Sequence, residues 1–518
     1  MDTTARATGD MVVGSMLATA ARTYRDREMI YCATTGRRFT FGEVDTRVNR
    51  LAHGLMGLGL AKGDTVAYLF NNRAEIVEVF FALAKAGLVG VPLNYRLAAP
   101  EVVDLVRSCE AKALICAEGY VDVAAEVHAA DTPLRHVVAA AEGAVPDFAA
   151  RYEDIVAAGS DAAPDVDVRE TDTQYFNLTS GTTGLPKAYR LNHYNNAFAA
   201  LTMPLEFDVT RADTILTAFP MYGRVGAAWL MIGTCMGVRN VITDYEPQRI
   251  AEHIEAERCT ITNFVPTMAA MLLQLPNITD FDFGSLRAIV FAGSPLPAPV
   301  RERTLATLCP NLYEFYGMQE TGLVAAIGAA DKSERPDSVG QASIFSDIRV
   351  VDDEGGRVPA GESGEIIVRS PASTTGYFRN EEKTSETFRD GWIHTGDIGR
   401  FDSDGFLYVT GRKKDVIVTG GQNVFSVEVE AVLLQHPDVA DCAVIGTADP
   451  VWGEAVTAVV VPRGGTAVDE AALIDHCKRT LAGFKAPKRI IRRGEAIPRT
   501  PTGKITKYVL EEQYRVVV

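Results

Sequence analysis

A short stretch between Tyr175 and Ala188 combines hydroxyl groups, glycines and a cation in a way that suits phosphate chemistry. It runs TSGTTGLPK from Thr179 to Lys187 and follows an apolar segment that reads as the end of a strand. Glycines let the backbone approach phosphate oxygens, hydroxyl and free N–H groups donate to them, and a lysine offsets their charge. The order differs from the Walker pattern, in which lysine stands between a glycine and Ser or Thr. This stretch therefore favours a nucleotide phosphate loop of another class over the alternative, an ordinary Ser/Thr/Gly turn with a solvent-facing lysine.

Four more motifs follow this loop in order along the chain. They are Tyr313-EFYGMQET-Gly322, Gly391-WIHTG-Asp397, Gly411-RKKDVIVTG-Gly421 and Pro501-TGK-Ile505. Together with TSGTTGLPK they resemble the phosphate, adenine-and-magnesium, ribose, hinge and C-terminal lysine motifs of the adenylate-forming superfamily. That superfamily includes acyl-CoA synthetases, luciferases and the adenylation domains of peptide synthetases. Because five ordered motifs are far more specific than any one of them, the chain resembles this superfamily, in its acyl-CoA ligase branch, over most of its length.

The resemblance implies a two-step reaction on a carboxylic acid. The carboxylate attacks the α-phosphate of ATP and releases pyrophosphate, and the thiol of CoA then takes the acyl group from the adenylate and leaves AMP. A carboxylic acid is already ionised near neutral pH, so the first step needs charge neutralisation and in-line positioning rather than a general base. The expected ligands of such an acid–thiol ligase are ATP, CoA, Mg²⁺ and the acid.

For the first step, the resemblance assigns a role to one or two residues of each motif. Lys504 would present its ammonium to the carboxylate and the α-phosphate, and Glu320 would hold magnesium, which takes one or two carboxylates plus phosphate oxygens. Tyr316 would stack on adenine, Asp397 would accept from the ribose hydroxyls, and Arg412 could donate to them. The alternatives are a surface lysine, a surface glutamate, a turn aspartate and a core tyrosine. The implied catalytic set is Lys504, Glu320 and Lys187, and the implied nucleotide-binding set is Thr179, Ser180, Gly181, Thr182, Thr183, Gly184, Tyr316, Gly317, Gln319, Asp397 and Arg412.

The second step needs a different surface, because a thiol with a pKa near ~8.5 must reach the acyl carbonyl through a dry channel. In the superfamily the small C-terminal domain swings about a hinge, which by motif position is Lys414 here. The swing withdraws the C-terminal lysine and brings Gly420 and Gly421 to line the pantetheine tunnel, where a β-carbon would narrow the passage. The candidates for the phosphates of CoA, with a basic solubility patch as the alternative, are Lys485, Lys488 and Arg489.

Three departures from the superfamily pattern bear on the mechanism. Gln319 stands where a threonine usually precedes the glutamate, so a bulkier amide replaces a hydroxyl that touches the α-phosphate. Ala188 replaces a glycine after the loop lysine, which could stiffen the loop. Where a histidine often lies near the acyl pocket, the chain reads Tyr-Gly-Arg, and the small residues around it predict a bulky or hydrophobic acid, even a polycyclic one. The implied acyl pocket consists of Tyr222, Gly223, Arg224, Gly293 and Met318.

These departures leave other functions open beside a complete acyl-CoA ligase. A ligase with an impaired first step would form thioesters from an acyl-AMP made elsewhere, and Gln319 favours that alternative. A second alternative is a loader whose acceptor is a phosphopantetheine arm on a carrier protein. A third is a nucleotide-binding regulator without chemistry.

The elements that must position these motifs follow an α/β rhythm. Residues 64–71, 75–86 and 88–93 read as strand, helix and strand, and similar strands recur after residues 113, 213, 260 and 286. Such alternation favours parallel sheets covered by helices. Residues 144–172, rich in Ala, Asp and Pro, read instead as a surface excursion.

The pattern changes twice further along the chain. From residue 336, short strands separated by DEGG and DSDG predict the hairpins of a small β-barrel. Residues 415–518 read as a compact α+β module. We therefore predict an α/β fold with a large N-terminal domain (1–414) of two parallel-sheet βαβ subdomains plus a small β-barrel, and a small mobile α+β C-terminal domain (415–518).

Composition limits the partners of the chain. Its 51 Lys and Arg against 67 Asp and Glu give a net charge of −16, which disfavours nucleic acid. The N-terminus lacks the basic start and long apolar core of a signal peptide, and no apolar run is long enough to cross a bilayer. The eight cysteines are scattered and read as reduced thiols. We expect a cytoplasmic enzyme without a membrane or nucleic-acid partner, and we leave the oligomeric state open, a homodimer included.

Overall fold

The computed structural model describes residues 9–179, 187–465, 468–500 and 503–514. Five of the predicted nucleotide-binding positions lie outside these residues, namely Ser180, Gly181, Thr182, Thr183 and Gly184. Across the described ranges, no helix has both the length and the apolar character that a bilayer span requires.

The described chain alternates helices and strands through most of its length. The helices are α1 (Val13–Thr23), α2 (Phe41–Gly57), α3 (Ala74–Ala86), α4 (Ala99–Ser108), α5 (Val121–Ala129), α6 (Tyr152–Ala158), α7 (His193–Glu206), α8 (Arg224–Met236), α9 (Pro247–Ala256), α10 (Pro266–Leu272), α11 (Ala298–Thr307), α12 (Ala329–Glu334), α13 (Glu381–Thr387), α14 (Ser426–Leu433), α15 (Glu470–Thr480) and α16 (Lys507–Tyr514). The strands are β1 (Glu28–Cys32), β2 (Arg37–Thr40), β3 (Thr65–Leu69), β4 (Val89–Leu93), β5 (Ala113–Ala117), β6 (His136–Ala140), β7 (Ala149–Arg151), β8 (Thr173–Thr179), β9 (Lys187–Asn192), β10 (Thr214–Thr217), β11 (Arg239–Ile242), β12 (Ile261–Phe264), β13 (Ala288–Phe291), β14 (Leu312–Met318), β15 (Gly322–Ile327), β16 (Gln341–Ala342), β17 (Asp347–Val351), β18 (Gly364–Arg369), β19 (Phe388–Arg389), β20 (Trp392–Phe401), β21 (Leu407–Arg412), β22 (Val416–Thr419), β23 (Gln422–Phe425), β24 (Val439–Asp449), β25 (Gly453–Pro462) and β26 (Arg489–Arg492).

The first large sheet has seven strands in the order β7-β6-β5-β3-β4-β8-β9. Strands β3, β4 and β5 are parallel and buried at every position, as expected for continuous apolar strands covered by helices on both faces. The strand–helix–strand prediction for residues 64–93 is confirmed by β3, α3 and β4. At one edge β8 and β9 pair antiparallel with Thr179 opposite Lys187, so the predicted phosphate loop connects the ends of these two strands.

The second large sheet has nine strands in the order β16-β15-β14-β13-β12-β10-β11-β1-β2. Its central strands β14, β13, β12 and β10 run parallel, whereas β15, β16 and β2 join antiparallel at the edges. The strands predicted after residues 213, 260 and 286 are β10, β12 and β13. In open α/β sheets, ligands bind outside the carboxyl ends of the parallel strands, which here lead into residues 265, 292 and 319.

A smaller antiparallel sheet follows, in which β17, β18, β20 and β19 are neighbours in that order and β21 also pairs with β20. This sheet lies where the sequence predicts a small β-barrel. Its described strand pairs form an open sheet rather than a closed ring. The pairing of β20 with β21 places Asp397 directly opposite Arg412. Two predicted motifs that are separated along the chain therefore meet across one pair of strands.

The C-terminal part of the chain forms its own sheet and core. Strands β23, β22, β25 and β24 are neighbours, and β26 pairs with β25 in parallel. Helices α14 and α15 cover an apolar cluster that includes Val444, Val456 and Leu473. The predicted α+β character of residues 415–518 is confirmed over the described residues by helices α14 to α16 and strands β22 to β26. A single helical turn at residues 413–415 links β21 to β22, while the domain boundary at residue 414 stays a prediction.

The expectation of a surface excursion for residues 144–172 is wrong over its central part. That part contains β7 and α6, and Tyr152 at the start of α6 is only 1% exposed. The Tyr152 hydroxyl donates to Glu78 Oε2 at 2.7 Å, and the guanidinium of Arg47 pairs with the other oxygen of Glu78 at 2.7 Å. A Tyr and a Val one helical turn apart supply the buried face, and the abundance of Ala and Asp around them concealed this spacing.

Candidate functional site

Tyr316, Asp397 and Arg412 form one hydrogen-bonded group built from three strands. The Tyr316 hydroxyl of β14 donates to Asp397 Oδ2 at 2.7 Å, and Arg412 Nε donates to Asp397 Oδ1 at 2.6 Å. Thr395 supplies a hydroxyl oxygen that accepts from the Asp397 backbone N–H at 3.0 Å. The structure therefore brings the predicted adenine and ribose residues together. The hydroxyl contact of Tyr316 was not foreseen.

The charge of Asp397 shapes the protonation of both neighbours. Burial raises the pKa of Tyr316 well above its ordinary value, and the nearby Asp397 carboxylate raises it further. Burial by itself would lower the pKa of Arg412, but the Asp397 carboxylate outweighs that effect and leaves the pKa above its ordinary value. Tyr316 is thus a neutral donor and Arg412 a cation, and both donate to the side chain of Asp397.

Glu320 lies in the turn between β14 and β15 and is 7% exposed. The Tyr377 hydroxyl donates to Glu320 Oε1 at 2.7 Å, and the Thr374 N–H donates to the Glu320 carbonyl at 2.7 Å. The described residues contain no group of three or more His, Cys, Asp or Glu side chains that could enclose a metal. A single buried carboxylate fits Mg²⁺, which is commonly bound through one or two carboxylates together with substrate phosphates.

Gln319 precedes Glu320 and is anchored at both its side chain and its backbone. The Tyr189 hydroxyl donates to Gln319 Oε1 at 3.1 Å. Arg224 Nη1 donates to the Gln319 carbonyl at 2.6 Å, and Arg224 Nη2 donates to the carbonyl of Ala372. Arg224, predicted to line an acyl pocket, is 5% exposed and directs its guanidinium at these backbone carbonyls.

The other predicted acyl-pocket residues lie at the carboxyl edge of the nine-stranded sheet and at the start of α8. Gly293 follows β13, and a β-carbon there would lie 3.3 Å from Val265, which follows the neighbouring strand β12. Met318 is the last residue of β14, and Gly223 precedes α8. Tyr222 packs edge-on against Tyr95 with ring centroids 5.8 Å apart, and burial raises the pKa of its hydroxyl to about 12.

Gly317 has a structural reason for being glycine. It faces β15 where the register between β14 and β15 shifts, and a β-carbon on it would lie 1.9 Å from the Gly322 carbonyl. No side chain fits that approach. The predicted nucleotide-binding position is therefore also the point at which β14 bends toward the turn that carries Gln319 and Glu320.

Lys504 reaches this group from the C-terminal part of the chain. It lies in a hairpin closed by the Arg499–Ile505 bridge, and the Thr500 N–H donates to the Lys504 carbonyl at 2.7 Å. A β-carbon on Gly503 would lie 3.0 Å from the Thr267 hydroxyl in α10, so the hairpin contacts the large N-terminal part of the chain.

Lys504 is exposed as a whole residue, and its ammonium interacts electrostatically with the charged groups of the site. Loss of hydration among the surrounding protein atoms lowers the pKa of Lys504, and the positive charge of Arg412 lowers it further. The carboxylates of Asp397 and Glu320 act in the opposite direction. The structure thus brings four predicted residues into one electrostatic environment. Lys187 lies at the start of β9, where the chain leaves the predicted phosphate loop.

Two of the predicted CoA residues, Gly420 and Lys488, contact Trp452 instead. Gly420 and Gly421 form the turn between β22 and β23, with φ of 57° and 76°, and the Gly420 N–H donates to the Trp452 carbonyl at 2.8 Å. The Lys488 ammonium lies 4.0 Å from the centroid of the Trp452 ring and 3.3 Å from the Thr419 hydroxyl. The positive φ of the turn and the close packing against Trp452 are enough to explain why residue 420 is a glycine, whether or not it also lines a tunnel.

The remaining predicted residues of this region are dispersed. The Lys485 ammonium pairs with Glu428 at 2.5 Å, so a carboxylate already offsets its charge. Lys414 is exposed within the turn at residues 413–415. Arg489 begins β26.

Sequence reasoning missed several residues that organise the site. They are Tyr189, Tyr377, Arg499, Asp441 and Trp452. A weak signal exists for two of them: Tyr189 follows the loop lysine by two positions, and Arg499 precedes Pro501 of the PTGK motif by two. The others join the site only through tertiary packing.

Comparison with known proteins agrees with this geometry. A family model described as AMP-binding enzyme matches residues 17–378, and a model described as AMP-binding enzyme C-terminal domain matches residues 428–504. A feruloyl-CoA synthase of Amycolatopsis sp is 36% identical over 475 residues, which cover 91% of this chain and 93% of that protein. The long-chain-fatty-acid–CoA ligase FadD13 of Mycobacterium tuberculosis is 33% identical over 491 residues, which cover 94% and 95%. The crystal structure of ATP-bound MatB from Rhodopseudomonas palustris superimposes with a TM-score of 0.89 at 31% identity, covering 97% of this chain and 99% of that one.

Proposed function

Since the chain belongs to the AMP-binding enzyme family, in its acyl-CoA ligase branch, we propose that it joins a bulky or hydrophobic carboxylic acid to CoA through an acyl-adenylate. The general activity, that of an AMP-forming acid–thiol ligase, follows from family membership. The nature of the acid is the proposed part. Two relatives are named for feruloyl-CoA and for long-chain fatty acids, and these names support an acid larger than acetate.

The observation that carries the proposal is the convergence of Lys504 with Asp397, Arg412 and Glu320. These residues come from the C-terminal hairpin, from two strands of the small sheet and from the turn after β14. A cation among nucleotide-binding carboxylates is what attack by one anion on another requires, because the two reactants repel each other. Removing one such preorganised contact costs on the order of 10²–10³ in rate.

In the proposed first step, each group of residues has a separate task. A carboxylate oxygen accepts more than one hydrogen bond, so Asp397 can accept from a ribose hydroxyl while Tyr316 and Arg412 hold it in place. Lys504 binds the substrate carboxylate and the α-phosphate oxygens and offsets their charge as they approach. The substrate arrives as an anion, so no residue has to remove a proton from it.

Glu320 would hold Mg²⁺, whose charge neutralises the phosphates of ATP. Tyr377 restricts the carboxylate by its hydrogen bond to Oε1, so the turn presents Glu320 in one orientation. Lys187 lies at the exit of the predicted phosphate loop and would bind phosphate oxygens from the other side.

The size of the acid is inferred from the side chains at the start of α8 and at the carboxyl ends of β13 and β14. Gly223 and Gly293 place no side chain beyond the backbone there, and Met318 offers a flexible apolar one. Arg224 is held by backbone carbonyls and does not project as a free cation. This lining supports a broad apolar acid rather than acetate.

The second step is proposed to use the C-terminal part in another orientation. With Lys504 at the nucleotide group, the Gly420–Gly421 turn packs on Trp452, and Val451 and Trp452 are exposed beside it. A swing about Lys414 would withdraw Lys504 from the nucleotide group and bring the Gly420–Gly421 turn there instead. Lys485, Lys488 and Arg489 are the candidates for binding the phosphates of CoA. Exposed side chains with apolar surface next to cations suit a ligand that combines a long linear arm with phosphates.

The test separates the two half-reactions. Purified enzyme, ATP, Mg²⁺ and a panel of aliphatic, aryl and polycyclic acids should exchange pyrophosphate into ATP, and synthetic acyl-AMP with CoA should give thioester. Activity in the second assay only would identify the ligase impaired in adenylation. Preference for a phosphopantetheine-bearing carrier protein over equimolar CoA would identify the loader. ATP binding without adenylate or thioester from any acid would contradict the proposal.

A further inference from the structure

Two tyrosines on adjoining backbones hold two consecutive residues of the turn after β14. Tyr189 of β9 and Tyr377 form an antiparallel bridge, so their backbones run side by side. The hydroxyl of Tyr189 donates to Gln319, and the hydroxyl of Tyr377 donates to Glu320. The bridge ties the strand that leaves the predicted phosphate loop to the turn that carries Glu320.

The burial of Tyr189 fixes the orientation of the Gln319 amide. Tyr189 has no exposed surface, and leaving its hydroxyl proton without an acceptor would cost the desolvation of that group. Burial also raises the pKa of Tyr189 well above its ordinary value, so the hydroxyl is protonated and donates. Its acceptor is Gln319 Oε1, and the amide nitrogen therefore faces away from Tyr189 with two donor hydrogens.

Arg224 fixes the backbone of the same residue. It is buried at the first turn of α8, and its guanidinium joins the carbonyls of Gln319 and Ala372. A bidentate guanidinium is a rigid fork, so the position of the Gln319 Cα is set by α8 while the amide is set by β9. Gln319 is partly buried, so part of the residue remains accessible to solvent.

We propose that Gln319 donates from its amide nitrogen to the anionic reactants of the adenylation step, and that Tyr189 and Arg224 are the residues that position it. The proposal rests on the proposed function. It also assigns a role to Gln319 at the position where the superfamily usually has a threonine. A hydroxyl donor is replaced by an amide donor that reaches further and needs an anchor for its oxygen. Gln319 is then a requirement for adenylation rather than an obstacle to it.

The variants Gln319→Met, Gln319→Glu and Gln319→Thr separate a donor from an obstacle. Met keeps the length without a donor, Glu places a negative charge beside the reactants, and Thr shortens the side chain and strands the Tyr189 hydroxyl. We expect pyrophosphate exchange to fall about tenfold to hundredfold in the Met variant and further in the Glu variant, the range for loss of one donor to developing charge. Thr should not exceed the wild type. Thioester formation from acyl-AMP and CoA should change by less than about threefold, because the donor acts in the other half-reaction.

Tyr189→Phe tests the anchor, and Tyr377→Phe is its matched control on the neighbouring residue. Tyr189→Phe should lower pyrophosphate exchange about tenfold, and adding it to Gln319→Met should cause little further loss, because the two residues act as one unit. Tyr377→Phe combined with Gln319→Met should give the product of the single effects. Additive losses for Tyr189 and Gln319, or faster exchange in Gln319→Thr, would overturn the proposal.

A binding measurement keeps the inference separate from the choice of acid. Calorimetry with a non-hydrolysable ATP analogue and Mg²⁺ requires no acid, so it reports on Gln319 even if every acid on the panel fails. Weaker binding in Gln319→Glu than in Gln319→Met supports an amide that faces the phosphates. Equal binding in these two variants and the wild type contradicts it, whatever the fate of the proposed function.

Discussion

Arg499 joins the carboxylate of Asp441 to the loop that presents Lys504. Its Nη2 lies 2.9 Å from both Asp441 oxygens, and its Nη1 donates to the Gly503 carbonyl at 3.0 Å. Asp441 belongs to β24, so the guanidinium ties the hairpin to the C-terminal sheet. The loop that presents Lys504 is therefore anchored to the C-terminal sheet through Arg499.

We expect Arg499→Ala to lower pyrophosphate exchange about tenfold to hundredfold, because a lysine displaced by about 1 Å loses in-line contact with its reactants. Thioester formation from acyl-AMP should change little, since Lys504 is not needed there. The two half-reaction rates give the measurement, with a melting curve to verify folding. Arg493→Ala removes another arginine of the same sheet that bonds Glu495 and Gln513, and it should leave the ratio of the two rates unchanged. Equal losses in both half-reactions for Arg499→Ala would show a general structural role.

The lowered pKa of Lys504 predicts a pH dependence of adenylation. An ammonium whose pKa lies below the ordinary 10.5 loses its proton at a lower pH, so the pyrophosphate-exchange rate should decline on the alkaline side earlier than an ordinary lysine would allow. Lys504→Arg should move that decline to higher pH, because a guanidinium stays charged throughout. Lys504→Ala should lower the rate about 10²–10³-fold at neutral pH. Identical alkaline limbs in wild type and Lys504→Arg would assign the titration to another group.

Sequence and structure agree where a local pattern encodes the element. Apolar runs predicted β3, β4, β10, β12 and β13, because a strand buried on both faces needs consecutive apolar residues. Motif order predicted Lys504, Glu320, Asp397 and Arg412 as site residues, and the structure adds their convergence. Residues 149–158 escaped prediction, because a two-residue buried face is too short to stand out among alanines.

The positioning residues could not be predicted for a different reason. Tyr189 and Gln319 are 130 positions apart, and Arg499 and Asp441 are 58 apart. The local sequence around either partner does not predict such a contact, because each of these residue types is also common on solvent-exposed surfaces. Only tertiary packing makes them neighbours.

Tyr316 offers a way to separate stacking from hydrogen bonding. Tyr316→Phe keeps the ring and removes the hydroxyl that donates to Asp397 at 2.7 Å. If the hydroxyl positions the ribose-binding carboxylate, the KM for ATP should rise about threefold to tenfold while kcat changes less. Tyr316→Leu should raise the KM further, because it also removes the aromatic face. An unchanged KM in Tyr316→Phe together with a large rise in Tyr316→Leu would limit the residue to stacking.

Gly420 and Gly421 let the turn between β22 and β23 be examined one residue at a time. Both have positive φ, but only at Gly420 would a β-carbon collide with Trp452, at 2.7 Å, whereas the space around Gly421 is open. Gly421→Ala should cost about 1 kcal/mol of unfolding free energy from backbone strain, and Gly420→Ala should cost more because Trp452 must shift.

If the turn also lines the path of CoA, Gly420→Ala should slow thioester formation from acyl-AMP and leave pyrophosphate exchange near wild type. Gly483→Ala, at another glycine of the C-terminal part of the chain with open surroundings, is the control. A loss confined to stability, with both half-reactions intact, would give Gly420 a folding role only, because the strain and the collision are present whether or not CoA passes.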